Sequence, residues 1–161
     1  MPYVAIGEGI IMEPLEMAIK AELDEKSFYE KAREESGNSI GKALFARLAK
    51  EEDFHAAKAE EIGEFLKRGE NPLAIEESFD RGLRIGAIFA RVGLEDSHNS
   101  EAELGGIESA LKMEGKSRRL YGDLSDRASK DSEKRFFRAL MQEEQVHYDA
   151  LIRYKQFLLD S

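Results

Sequence analysis

The sequence contains no cysteine among its 161 residues. Disulfides, thiolate zinc sites, iron–sulfur clusters and thiol nucleophiles are therefore excluded, and any metal ion must be held by oxygen and nitrogen ligands. Proline is also scarce, with three residues, while 35% of all residues are charged. Few helix breakers and many charges suit long, solvated helices.

Long hydrophobic runs and an excess of positive charge are missing as well. Charged residues interrupt every apolar stretch before it approaches the roughly 20 residues that a membrane-spanning helix needs. The formal charge of −9 disfavours binding to nucleic acids and to anionic membranes. Residues 1–13 carry Glu8 and Glu13 and lack a basic leader, so we expect no export signal and a cytoplasmic protein.

Four segments carry apolar residues at helical spacing. They run from about Pro14 to Ser36, from a cap at Asn38 or Ser39 to about Arg68, from about Leu104 to Ala128, and from a cap at Asp131 or Ser132 almost to the C-terminus. Gly69 is typical of a left-handed helix terminator. The pattern predicts an all-α fold, a single four-helix bundle over residues 1–161, with helical hairpins at 14–68 and 104–160.

A long connection at residues 69–103 joins the two predicted hairpins. It must carry the chain from one end of the bundle to the other. Ile75, Phe79 and Leu83 form an apolar stripe within it, which predicts a further helix from about Pro72 to Val92. We expect this stripe to pack against the bundle or a second subunit.

The second hairpin repeats the first with an offset of 92 residues. Residues with polar or aromatic side chains recur in this register: Glu22 and Glu114, Tyr29 and Tyr121, Phe45 and Phe137, Glu52 and Glu144, and His55 and His147. No gap interrupts the register. The two hairpins are therefore two copies of one unit.

Several of the repeated polar residues lie on helix faces that should point into the bundle. Glu22 shares a stripe with Ala18 and Tyr29, at spacings of four and seven residues. Glu52 and His55 are three residues apart, so they share one helix face. With the second copy, four carboxylates and two imidazoles would meet in the interior. Unpaired buried charges cost several kcal/mol each, whereas two divalent cations would balance this set.

This arrangement resembles the ferritin-like di-iron carboxylate proteins, in which two helices give one Glu each and the other two give Glu-x-x-His. The tyrosine seven residues after each single glutamate is similar to the rubrerythrin branch. The resemblance implies two metal ions per chain, held by Glu22, Glu52, His55, Glu114, Glu144 and His147. It implies one terminal glutamate and one histidine for each metal and two bridging glutamates, and leaves open which glutamates bridge. The cysteine-bound rubredoxin-like centre of typical rubrerythrins is missing from this chain.

Residues beside the predicted ligands have two interpretations each. Glu51 and Glu143 are either solvated charges or groups that orient the histidine of the opposite motif. Tyr29 and Tyr121 are either core residues or residues with a redox or hydrogen-bonding role beside the metals. Glu25, one turn after Glu22, could supply a further oxygen, but we expect a solvated or ion-paired role.

A third Glu-x-x-His, at Glu95 and His98, has no repeat partner and lies in a polar stretch. We expect His98 at the surface.

The resemblance favours an oxidoreductase that reduces hydrogen peroxide or dioxygen with electrons from an external donor protein. The chemistry is expected at the metals, and no side chain is assigned as catalytic. Iron is the expected metal, and the donor set also accepts manganese or zinc. Iron storage and a metal-stabilised structural or regulatory bundle are the alternatives. We expect a homo-oligomer, such as a dimer.

Overall fold

The computed structural model describes residues 4–6, 10–70 and 100–160, which include four long helices. Helix α1 spans Pro14–Glu35, α2 spans Ser39–Lys67, α3 spans Ser100–Arg127 and α4 spans Asp131–Asp160. Helices α1 and α2 form one hairpin and α3 and α4 form the other, and the two hairpins contact each other through α1 with α3 and α2 with α4. The predicted four-helix bundle of two hairpins is confirmed.

The ends of the first hairpin follow the local signals in the sequence. Helix α1 begins at Pro14, and Asn38 caps α2 by accepting a hydrogen bond from the Gly41 amide at 2.7 Å. Gly69 has a φ of 73°, and its amide donates to the carbonyl of Leu66 at 3.1 Å. A left-handed residue at this position closes the end of α2, as predicted.

The second hairpin begins earlier than predicted. Helix α3 starts at Ser100 and not near Leu104, and its first turn contains Glu101 and Glu103. Acidic side chains are favourable at a helix N-terminus because they face the positive end of the helix dipole. Helix α4 already includes Asp131, where a cap was expected.

A two-stranded antiparallel hairpin precedes α1, and the sequence analysis predicted no strand there. Strand β1 spans Val4–Ile6 and β2 spans Ile10–Met12, with Val4 opposite Met12 and Ile6 opposite Ile10. Three-residue strands are too short to show a clear alternation of polar and apolar residues.

Two other predictions, the helix at 72–92 with its apolar stripe and the surface position of His98, lie outside the described residues. Within the residues that are described, no helix is both long and apolar enough to cross a membrane.

The hydrophobic core consists of two clusters at different levels of the bundle. One contains Leu15, Leu66 and Phe136, from the N-terminal parts of α1 and α4 and the C-terminal part of α2. The other contains Leu44 and Leu151, from the opposite parts of α2 and α4. Between these two apolar levels lies the layer that holds the repeated glutamates and histidines.

A polar network fastens the turn between α1 and α2 to the second hairpin. The Tyr154 hydroxyl accepts from Asn38 Nδ2 at 2.8 Å and lies 2.9 Å from Glu103 Oε2, to which it donates. The other oxygen of Glu103 accepts from the Gly37 amide. Burial raises the pKa of Tyr154, which keeps its hydroxyl protonated for this role. The network fixes the two hairpins relative to each other.

Candidate metal centre

All six predicted ligands lie in the interior of the bundle at one level. The four glutamates are fully buried, and the two histidines are at most 2% exposed. In α1, the helical spacing that buries Ala18 and Tyr29 also buries Glu22, which lies between them. The residues concerned are Glu22 from α1, Glu52 and His55 from α2, Glu114 from α3, and Glu144 and His147 from α4.

The six side chains form two groups that overlap. Glu22, Glu52, His55 and Glu144 each place one ligand atom within 4.8 Å of the others, and Glu52, Glu114, Glu144 and His147 do the same. Glu52 and Glu144 belong to both groups. The geometry therefore outlines two adjacent positions, each with its own glutamate and histidine, and two glutamates between them.

Both histidines turn Nδ1 toward the predicted ligand carboxylates. Nδ1 of His55 lies 3.4 Å from Glu22 Oε2, and Nδ1 of His147 lies 2.6 Å from Glu52 Oε1 and 3.4 Å from Glu114 Oε1. The two rings stack, with centroids 5.7 Å apart and planes 16° apart. Nδ1 is therefore the atom that each histidine offers to this centre.

Two tyrosines hold the glutamates that are not shared, and each acts across the bundle. Tyr121 of the second hairpin donates its hydroxyl to Glu22 Oε1 at 2.7 Å, and Tyr29 of the first donates to Glu114 Oε1. Burial, together with the neighbouring carboxylates, raises the pKa of both tyrosines well above the usual range. They remain protonated donors and fix one oxygen of each glutamate.

The remaining polar atoms of the centre fit a metal site. Among the described residues, no hydrogen bond reaches Oε2 of Glu114 or either oxygen of Glu144. Buried polar atoms without hydrogen bonds are rare in native proteins, and here they cluster at one place. Carboxylate oxygen and imidazole nitrogen are ligands that iron, manganese and zinc all accept.

The buried ionisable groups of this layer shift one another's pKa values. Burial, followed by the charges of neighbouring glutamates, raises the pKa of Glu52 and of Glu144 well above 4.5. Burial also opposes the ionised form of Glu22, but hydrogen bonding to Glu52 and the charge of His55 lower its pKa to about 2. Burial would lower the pKa of His147, yet Glu114 and Glu51 raise it well above 6.5. Cations bound here would replace these protons.

Comparison with known protein families agrees with this donor set. The family model described as Rubrerythrin matches residues 13–155. The chain belongs to the rubrerythrin family. No curated protein and no solved structure gives a significant match. The family and the buried Glu and His cluster together indicate a dinuclear metal site.

Glu51 and Glu143 lie behind the two histidines and are buried, so they are not solvated charges. Glu51 Oε2 is 3.5 Å from His147 Nε2, and Glu143 Oε2 is 3.9 Å from His55 Nε2. Burial would raise the pKa of Glu51, but hydrogen bonding to His147 lowers it. A carboxylate on Nε2 favours the tautomer in which Nδ1 carries a lone pair, which is the form that binds metal.

Glu25 corrects one expectation from the sequence. It is 2% exposed, and Ser117 donates its hydroxyl to Glu25 Oε1. Burial, with the charges of Glu52 and Glu22, raises its pKa well above 4.5, so a solvated or ion-paired role was wrong. Its three-residue spacing from Glu22 already placed it on the inward face.

Ser117 was not singled out from the sequence, although the repeat offers a signal. It lies 92 residues after Glu25 and therefore occupies the same position in the second hairpin. The two halves of the site differ here, since one has a carboxylate where the other has a hydroxyl. A search for positions that break the repeat would have found this pair.

Proposed function

We propose that this rubrerythrin-family protein is a di-iron oxidoreductase that reduces hydrogen peroxide to water with electrons from an external donor. The observation that carries the proposal is the pair of overlapping ligand groups with Glu52 and Glu144 in common. Two iron ions bound side by side would supply the two electrons that the reduction of one peroxide requires.

The side chains divide the work of holding such a pair. Glu22 with His55, and Glu114 with His147, would each serve one ion, while Glu52 and Glu144 would bridge. This set carries four negative charges when the histidines are neutral, which two divalent ions balance. Because these charges then cancel, bound metals would offset the cost of burying the four carboxylates.

The surrounding residues keep the site in one geometry. Tyr29 and Tyr121 each donate to one oxygen of a glutamate, which restrains the rotation of that carboxylate. The apolar clusters above and below this layer exclude bulk water from it. Exclusion of water strengthens the electrostatic interactions inside a site. The same packing should keep out larger molecules while small oxidants can enter.

The source of electrons must lie outside the chain. The sequence has no cysteine and so lacks a rubredoxin-like centre of its own. Sustained reduction of peroxide therefore requires a donor protein or a small reductant, whereas a single turnover needs only the electrons stored at the site.

The test uses protein loaded with ferrous iron under anaerobic conditions and mixed with peroxide in a stopped-flow instrument. We expect an absorbance change that accounts for one peroxide per two irons, and repeated turnover only after a donor is added. Dioxygen is tested in a parallel arm. A fully loaded, reduced protein that responds to neither oxidant would contradict the proposal and favour a structural bundle.

Two variants of α2 distinguish loss of the metal ligands from a general effect of substitution in this helix. Glu52→Gln with His55→Ala should abolish both iron binding and the reaction. Glu60→Gln, at an exposed position of the same helix, is the matched control and should behave as the unmodified protein. Rapid oxidation followed by accumulation of many irons per chain would instead support iron storage.

A further inference from the structure

A cleft of about 320 Å³ lies between the C-terminal half of α1 and the first turns of α3. Its walls include Phe28 and Ala32 of α1, Phe45 of α2, and Gly105 and Gly106 of α3. The cleft is distinct from the layer that holds the metal ligands. Its size lies at the lower end of the range for sites that bind small organic molecules.

Two adjacent glycines form one wall of this cleft within a helix. Glycine is among the least favourable residues in a helix interior. A Cβ atom added to Gly105 or Gly106 would meet no other atom within 4 Å, so close packing does not explain either glycine. Glycine suits places where backbone and a ligand approach closely, and together the two leave a bare strip of α3 facing the cleft.

The aromatic residues of the cleft contact a tyrosine that is hydrogen-bonded to a predicted metal ligand. Phe28 and Tyr29 form a T-shaped pair with centroids 5.5 Å apart, and Phe45 stacks on the same tyrosine at 6.1 Å. Tyr29 in turn donates a hydrogen bond to Glu114, one of the predicted ligands. A molecule in the cleft would therefore contact Phe28 or Phe45, and each of these packs on the tyrosine that is hydrogen-bonded to Glu114.

The polar groups of the cleft suit a ligand with hydroxyl groups. Glu103 is buried and accepts one hydrogen bond on each oxygen, from Gly37 and Tyr154, which leaves a further lone pair on each oxygen. Lys31 and Glu35 form an exposed ion pair of 3.8 Å among the lining residues and provide a donor and an acceptor. A flat aromatic ring would match Phe28 and the glycine wall, and phenolic hydroxyls would match these polar groups.

We propose that the cleft binds a small aromatic diol of the hydroquinone class, which serves as the external electron donor of the proposed reaction. This inference deepens the proposed function and rests on it. The hydroquinone loses two electrons and its two hydroxyl protons and becomes a quinone. Hydrogen peroxide gains both electrons and both protons as its O–O bond breaks, which gives two water molecules.

Binding is measured first, on zinc-loaded protein, because zinc is redox-inert and binding then stands apart from turnover. The probe is 1,4-dihydroxynaphthalene in anaerobic calorimetry. We compare Gly105→Leu/Gly106→Leu, which fills the cleft, with Gly105→Ala/Gly106→Ala, which adds only methyl groups. Leucine and alanine both favour helix over glycine, so both variants should keep or raise the melting temperature.

The leucine pair should weaken binding of the probe at least tenfold, and the alanine pair should change it by less than threefold. The saturated analogue decahydronaphthalene-1,4-diol should bind at least tenfold more weakly than the aromatic probe. No binding to the unmodified protein, equal binding by the leucine pair, or equal binding of the saturated diol would each overturn the inference.

Turnover is measured second, on iron-loaded protein with peroxide, by the absorbance of the quinone product. We expect one quinone per peroxide, and loss of this turnover in the leucine pair while its single-turnover oxidation by peroxide stays unchanged. Binding without quinone formation, when peroxide oxidises the site normally, would overturn the donor role. Failure of peroxide to oxidise the site would contradict the proposed function itself, and the zinc arm would still decide whether the cleft binds the diol.

Discussion

Replacing Glu144 by Gln should stabilise the metal-free protein while it removes the metal site. Glu144 is fully buried, and among the described residues neither of its oxygens has a hydrogen-bond partner. A buried polar group without a partner costs about 1–3 kcal/mol of folding free energy. An amide of the same shape stays uncharged at every pH and can donate to neighbouring carboxylates, so it avoids part of this cost.

The gain in stability should depend on pH in a defined direction. Burial and neighbouring glutamates raise the pKa of Glu144 in the folded protein well above 4.5, its ordinary value. The folded state then holds a proton that the unfolded state has lost, so the stability of the metal-free protein falls as pH rises through this window. Each pH unit between the two pKa values costs up to about 1.4 kcal/mol.

The assay is thermal unfolding of chelator-treated protein at pH 5 and at pH 7. We expect little difference between Glu144→Gln and the unmodified protein at pH 5. At pH 7 the variant should be more stable by about 1–3 kcal/mol, which for a chain of this size corresponds to a melting temperature higher by on the order of 5 °C. Metal analysis of the same variant should show both ions lost, because Glu144 belongs to both ligand groups.

Two results would refute this reasoning. A variant that is less stable than the unmodified protein at pH 7 would show that burial of Glu144 does not destabilise the metal-free protein. A gain of equal size at both pH values would show that its ionisation is not responsible. Glu60→Gln, at an exposed position, is the control and should change stability by less than about 0.5 kcal/mol.

Three further predictions concern the groups around the site. Glu51→Ala and Glu143→Ala should each weaken metal binding by about 10–100-fold in competition titrations without unfolding the bundle, and unchanged affinity in both would remove their orienting role. Gly41→Ala should lower the free energy of unfolding by about 1–3 kcal/mol and lower the melting temperature, because the new Cβ would lie 2.5 Å from the Tyr154 hydroxyl and closer still to Ser36 Oγ. Metal stoichiometry should stay the same. An unchanged melting temperature would contradict this prediction. Metal binding should release protons, measured by calorimetry in buffers of different ionisation enthalpy, because the raised pKa values of Glu52, Glu144 and His147 favour their protonated forms in the metal-free protein. Binding without proton release would contradict these raised pKa values.

The sequence was sufficient for the bundle because long helices leave strong periodic and terminal signals. Pro14, Asn38 and Gly69 mark helix ends through backbone chemistry that acts locally, so their roles do not depend on the rest of the fold. The start of α3 at Ser100 was less visible, since a polar first turn has no apolar periodicity. The strands at Val4–Ile6 and Ile10–Met12 were missed because each is only three residues long.

The clustering of the six side chains could be predicted because the same pattern occurs twice in the sequence. A glutamate and a histidine three residues apart share a helix face, and the offset of 92 residues distinguishes such a pair from a chance match. The sharing of Glu52 and Glu144 could not be predicted, because it depends on how far each helix is rotated and offset in the bundle. The burial of Glu25 could have been inferred from its spacing, but its hydrogen bond with Ser117 depends on the packed bundle.

The most direct test of the metal centre is anomalous X-ray scattering at the iron edge, from crystals of the anaerobically iron-loaded protein. The account predicts two iron peaks per chain, about 3.5–4 Å apart as in other two-metal sites. One should lie beside His55 and the other beside His147, with Glu52 and Glu144 reaching both. A single peak, or irons bound away from this buried layer, would contradict it.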